Sequence, residues 1–256
     1  MVIHLAINIF NRNPGLQFLA RWAHVVVGIV WIGILYYFNF VQTPAFAEMD
    51  PGVRNANFDK LVSRALWWFR WAAVATVVFG LLIIAVAPKG TYGKDFWVHS
   101  AAGPTLAIGI LFGLTMFLNV WLVIWPNQQI VIANARTLKA GGEANPAAAG
   151  AARAGAMASR QNTIFSLPLL VFMVGAAHFY NLGPNFADRL SASKCLIYLL
   201  IGVIILIVLE LNSLGMISGR GNTGLNVIYE THKNAMYTGF ALIVLFYILA
   251  EIILKR

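Results

Sequence analysis

The sequence predicts an all-α fold, a polytopic membrane bundle of about six transmembrane helices with a protruding helical hairpin. Three observations carry this reading. Of the 256 residues 60% are apolar and 11% charged, roughly half the charged share of a soluble domain. Mean hydropathy is +0.75. Several apolar runs reach the ~20 residues that a helix needs to cross the hydrocarbon of a bilayer. The chain therefore reads as one integral membrane domain over residues 1–256 with the lipid bilayer as its solvent. The opening MVIHLAINIFNRNPG has neither the basic start nor the small-residue cleavage site of a cleavable leader.

The spans fall at about 17–41, 67–87, 97–125, 162–182, 193–213 and 233–254. Between the first two, NANFDKLVSRALWW places Phe58, Leu61, Val62, Ala65 and Leu66 on one face, the pattern of an interfacial amphipathic helix over about 53–66. WWFRW at 67–71 reads as an aromatic belt, with Arg70 reaching to the headgroups. Spans three and four are joined by a segment of about 126–160 that reads as an extramembrane hairpin. Gly141 and Gly142 stop its first helix, and Asn145 with Pro146 starts its second. No internal repeat is evident, which disfavours the inverted-repeat transporters.

The net charge of +9 comes from 18 Lys and Arg residues scattered at helix ends. That placement suits lipid headgroups and gives no reason to invoke nucleic acid. Six spans put both termini on one face, face A, which carries eight of these residues, while the opposite face B carries ten. The basic hairpin tips face B toward the cytoplasm. The single cysteine, Cys195, excludes an intrachain disulfide, a Cys-only metal cage and a CxxCH haem attachment. No GxSxG or Walker-type motif supports a hydrolase or nucleotide enzyme.

The histidines carry the chemistry. His24 opens span one, His99 opens span three and His178 closes span four, so up-down alternation brings all three toward face A at comparable depth. Each has a glycine one helical turn away: Gly28, Gly103 and Gly175. An imidazole beside a missing side chain leaves the flat space that a porphyrin would need. Trp31, seven residues after His24, and Phe172, six before His178, supply large rings around it. Imidazole is a standard axial ligand of haem iron, and helical bundles build cofactor sites from facing helices. A lone membrane histidine also serves as an interhelical hydrogen-bonding group, and zinc or copper uses the same ligand type, although no acidic residue or second sulfur lies close in sequence. Three histidines at one level favour one or two non-covalent haem b groups. His232, flanked by Tyr229, Glu230 and Lys233, reads as a solvated helix end, and His4 as an interfacial residue. Glu251 approaches face A, within reach of Arg21 or a ligand histidine, while Asn119, Glu210 and Asn212 read as structural polar groups.

RWAHVVVGIVWIGILYYFNFVQ, NVWLVIWPNQ and ANPAAAGAARAGAMASRQNTIFSLPLLVFMVGAAHF resemble the membrane domain of bacterial membrane-bound urate oxidases fused to cytochrome c, over nearly the whole chain. The stretches around Pro126–Asn127 and Ala151–Phe165 are the most specific. That domain is distantly similar to haem-binding membrane proteins of the bacterial protoporphyrinogen oxidase and copper-resistance families, whose first-helix histidine is associated with haem b. His24 matches that position. Those urate oxidases continue into a C-terminal cytochrome c, whereas this sequence stops at ILKR without a CxxCH motif.

The resemblance implies an oxidoreductase or an electron-transfer subunit in the bacterial inner membrane. Its termini would be periplasmic, and a separate c-type cytochrome or other redox subunit, within an oligomer or larger complex, would be its partner. Two readings stay open beside it: a non-redox transporter or channel lined by the histidines, and a cofactor-free structural subunit.

Overall fold

The computed structural model describes residues 14–180 and 190–255; His4 lies outside them. Among the described residues there is no strand. In chain order the helices are α1 (Gly15–Glu48) and α2 (Pro51–Ala85), the short α3 (Lys94–His99), then α4 (Ala102–Lys139), α5 (Ala148–His178), α6 (Ala192–Ser213) and α7 (His232–Ile253). All except α3 are long and apolar enough to cross a membrane. The chain is a multi-pass, all-helical membrane protein.

Pro51 separates the first two spans. It holds Asp50 in an extended conformation, as a residue before proline prefers, and itself occupies the first turn of α2, where its missing N–H costs nothing. The 53–66 stretch is continuous with the second span, and the 126–160 segment consists of the ends of α4 and α5 carried past their apolar windows. The stop at Gly141 is a Schellman motif: Gly141 takes φ +78°, its N–H donates to Leu138 O, and that of Gly142 donates to Thr137 O. Asn145 acts one step earlier than a cap, accepting from the N–H of Ala147 in a turn that leads into α5.

α1, α2 and α4 each contain one wide π turn, at Tyr37–Gln42, Phe58–Val62 and Asn119–Ile124. Such insertions are uncommon and concentrate at functional sites. All three lie in the face-B half of the bundle.

α5 is the central helix, with 61% of its membrane window buried against 17–39% in the others. It packs against α4, α7, α6 and α1. Phe112 and Phe165 stack with centroids 4.4 Å apart, and Phe246 meets Phe172 edge-on at 4.9 Å, so four fully buried rings form the middle of the core. Gly239 lets α7 close onto α5: a Cβ there would lie 3.0 Å from Ile164 O. The run Arg160, Gln161, Asn162, Thr163 is also buried. It is held by a polar layer in which Asn119 donates to Asn162 Oδ1 and to Glu210 Oε2, each at 3.0 Å, and Tyr229 donates to Gln161 Oε1 at 2.7 Å. Arg70 departs from expectation. Its guanidinium lies over the Trp125 ring, 3.3 Å from the centroid, because α4 presents an aromatic face closer than the headgroups; Trp67, Trp68 and Trp71 stay exposed.

Candidate functional site

α1 turns one stripe inward: Ala20, His24, Trp31 and Leu35, spaced four, seven and four residues apart. Ala20, Trp31 and Leu35 are buried, and His24 is half-buried. Facing it, α2 has a glycine at position 80, where a Cβ would stand 3.1 Å from the His24 Cε1. This gap admits the ring against the α2 backbone, and His24 Nδ1 reaches Thr76 O at 2.8 Å. A helix carbonyl has a second lone pair to offer. Facing a carbonyl, Nδ1 is the donor in this bond, which leaves Nε2 as the ring nitrogen available to another partner.

His99 repeats this arrangement on other elements. It ends α3, and its Nδ1 lies 2.8 Å from Leu190 O. The link is reciprocal, because the N–H of Leu190 donates to His99 O at 2.9 Å. The segment before α6 is thus pinned to the segment before α4. The two histidines belong to one end of the bundle. Arg21, one turn from His24, donates to Tyr92 OH at 3.4 Å, and the Tyr92 ring packs edge-on against Phe96 of α3, with centroids 5.2 Å apart. Arg21 thus engages Tyr92, and among the described residues Glu251 forms no ion pair.

His178 closes α5 at the same end, and it is exposed. Among the described residues no three His, Cys, Asp or Glu side chains gather into a metal-holding group, so the three histidines do not form one cluster. The glycines also divide. A Cβ on Gly103 would lie 2.1 Å from Phe96 O, and one on Gly175 would lie 3.3 Å from the Tyr180 ring. The space beside these two is filled by the protein itself, and they serve close packing. Gly28 is open, its nearest neighbour being Thr76 Cγ2 at 4.0 Å. Trp31 is 2% exposed, and its indole N–H is buried with no hydrogen-bond partner.

Sequence reasoning missed Thr76, Gly80 and Leu190. They lie 52, 56 and 91 residues from the histidines they serve, and only the pairing of α1 with α2, and of α3 with the start of α6, brings them there. His232 opens α7 beside Phe40, ring centroids 5.8 Å apart. Residues 219–224 spell GxGxxG, but this loop follows α6 with no strand before it, so the nucleotide fingerprint lacks its context.

No curated protein and no solved structure matches the chain. The family model described as urate oxidase N-terminal matches residues 92–212. That stretch takes in His99, His178 and α4 to α6, while His24 and Trp31 lie before it. Over residues 92–212 the resemblance read from the sequence holds, and what the chain is similar to there is the urate oxidase N-terminal family.

Proposed function

We propose that this protein is a haem b-binding redox protein of the bacterial inner membrane, in which His24 and His99 would hold the haem near a periplasmic face A. The observation that supports it is the shared tether: each Nδ1 lies 2.8 Å from a backbone carbonyl. Metal-ligating histidines characteristically give their other N–H to a carbonyl or carboxylate, which sets tautomer and ring orientation. This donor chemistry supports haem as the bound group. The unpaired indole N–H of Trp31, on the His24 stripe, offers a donor to a polar group lodged there. Haem b, when bound, supplies a centre that gains and loses one electron.

The chain's own part is to hold two imidazoles by their Nδ1 atoms and to keep water from the buried side of His24. The urate oxidase N-terminal match supports an oxidoreductase of the urate-oxidase type or an electron-transfer subunit. A c-type cytochrome on the outer side would be the acceptor, reached from face A. His178, exposed at the same end, stands outside the tethered pair, where a second haem or proton transfer would use it.

The test is the dithionite-reduced spectrum of protein expressed with ample haem. Soret and alpha bands of a low-spin b-type haem are expected in the wild type, and their absence would sink the proposal. His24→Ala and His99→Ala should each lose haem or shift it toward high spin. His178→Ala should keep it.

A further inference from the structure

The end of the bundle opposite His24 and His99 holds a cavity of about 530 Å³, within the range of small-molecule sites. All three π turns contribute to its wall, through Phe38, Phe58 and Ile124 among others. Two guanidinium groups, Arg54 and Arg160, line it, and no carboxylate does. Arg160 is only 7% exposed, and its Nη1 is buried without a hydrogen-bond partner. The carboxylate of Glu230, on the Arg153–Arg160 face of α5, is already paired with Arg153. Gln42, 9% exposed, lines the same cavity, and its Oε1 is buried and accepts from nothing.

Two other amides of the wall, Asn39 and Asn134, are occupied. Asn39 Nδ2 donates to Leu35 O and Ser159 Oγ, both at 2.9 Å, and Asn134 Oδ1 accepts from the N–H of Asn145 at 2.7 Å. What stays unmet is one buried cation and one buried acceptor. A buried guanidinium that shares its carboxylate with a second arginine is under-compensated, and an unmade buried hydrogen bond adds to that cost. One guest removes both penalties.

We propose that this cavity binds an oxyanion, carboxylate or phosphate, that also carries a hydroxyl or N–H donor. The anionic oxygens meet Arg160 in charge-assisted hydrogen bonds, the donor meets Gln42 Oε1, and Phe38, Phe46 and Phe58 receive the apolar remainder. A lipid headgroup and a soluble metabolite share this chemistry. The site is separate from the histidines, and the proposal stands whether or not haem binds.

Two probes separate the sources. Glycerol 3-phosphate is titrated by calorimetry against the full chain in phosphatidylcholine nanodiscs, and retained phosphatidylglycerol is read by native mass spectrometry after extraction from mixed-lipid vesicles. Saturable glycerol 3-phosphate binding that Arg160→Gln weakens tenfold or more supports a soluble anion. Retention of phosphatidylglycerol over phosphatidylcholine that the same variant abolishes supports a headgroup. Gln42→Glu decides if Arg160→Gln does not fold, because it supplies a carboxylate within the cavity and should abolish either signal while keeping the chain folded. Absence of both signals in the wild type, or signals that neither substitution changes, overturns the proposal.

Discussion

At the scale of single residues, His24 depends on what stands across from it. Gly80 leaves the gap its ring occupies, so a side chain there must push the imidazole off Thr76 O, since its Cβ alone would come within 3.1 Å of the ring. Gly80→Val should therefore mimic His24→Ala in haem content, whereas Gly28→Ala, with its nearest neighbour at 4.0 Å, should keep haem and a low-spin spectrum. Absorbance of the three purified variants checks this. The histidine itself was legible in RWAHVVVGIVWIG, because an imidazole inside an apolar run needs a reason. Its glycine was not: the sequence pointed to Gly28, Gly103 and Gly175, three or four residues from the histidines in the chain, and two of those are used for packing.

Tyr229 adds a dependence on pH at the same scale. Burial pushes its phenol pKa up, against about 10 in an unfolded chain. The folded state keeps this proton where the unfolded chain has lost it. The stabilisation is therefore complete below about pH 10 and declines as pH rises from there toward the folded value. Thermal unfolding in detergent should show a drop in stability between pH 9 and 11, and Tyr229→Phe should flatten it.

At the scale of elements, the helix stops were readable and the continuations were not. Gly141→Ala forces a side chain into φ +78° and should cost on the order of 1 kcal/mol. Chemical denaturation in detergent measures this, and a neutral result would contradict the Schellman stop. The 53–66 stretch reads as a separate interfacial helix because a π turn interrupts its period. One extra residue rotates the following face by about 100°, so the apolar stripe before Phe58–Val62 does not line up with the stripe after it. Periodicity analysis sees a boundary where the backbone has only widened. The same effect at Asn119–Ile124 hides the continuity of α4 with the first half of the hairpin.

At the scale of the whole molecule, six spans and an apolar exterior follow from hydropathy alone, whereas the polar layer through α5 does not. Arg160–Gln161–Asn162–Thr163 looks like a helix end, yet all four side chains are buried, and Gln161 and Asn162 find their partners in two distant segments, at Tyr229 and on α4. Asn162→Leu removes an acceptor for Asn119 and a donor to Met116 O; it should lower stability by about 1 kcal/mol, read as a fall in the detergent melting temperature. An even number of spans returns the chain to its starting side, so a phosphatase fused after Arg256 should be active outside the cytoplasm if face A is periplasmic. A fluorescent cytoplasm-only reporter glowing at that position would reverse the orientation.

α2 buries no side chain beyond Thr76, and the upper part of α1 is largely exposed outside its inward stripe. Mechanically, α1 and α2 form one arm of a pair of tweezers, clamped where the π turns crowd together and sprung at the far tip. Among the described residues the grip at that tip includes the Arg21–Tyr92 hydrogen bond. Cutting it with Tyr92→Phe should loosen the arm without unfolding it, seen as a broader distance distribution between spin labels at the exposed positions Trp22 and Leu196. His24 rides on one arm and His99 on the other, so the compliance of that tip sets how steadily anything held between them is gripped.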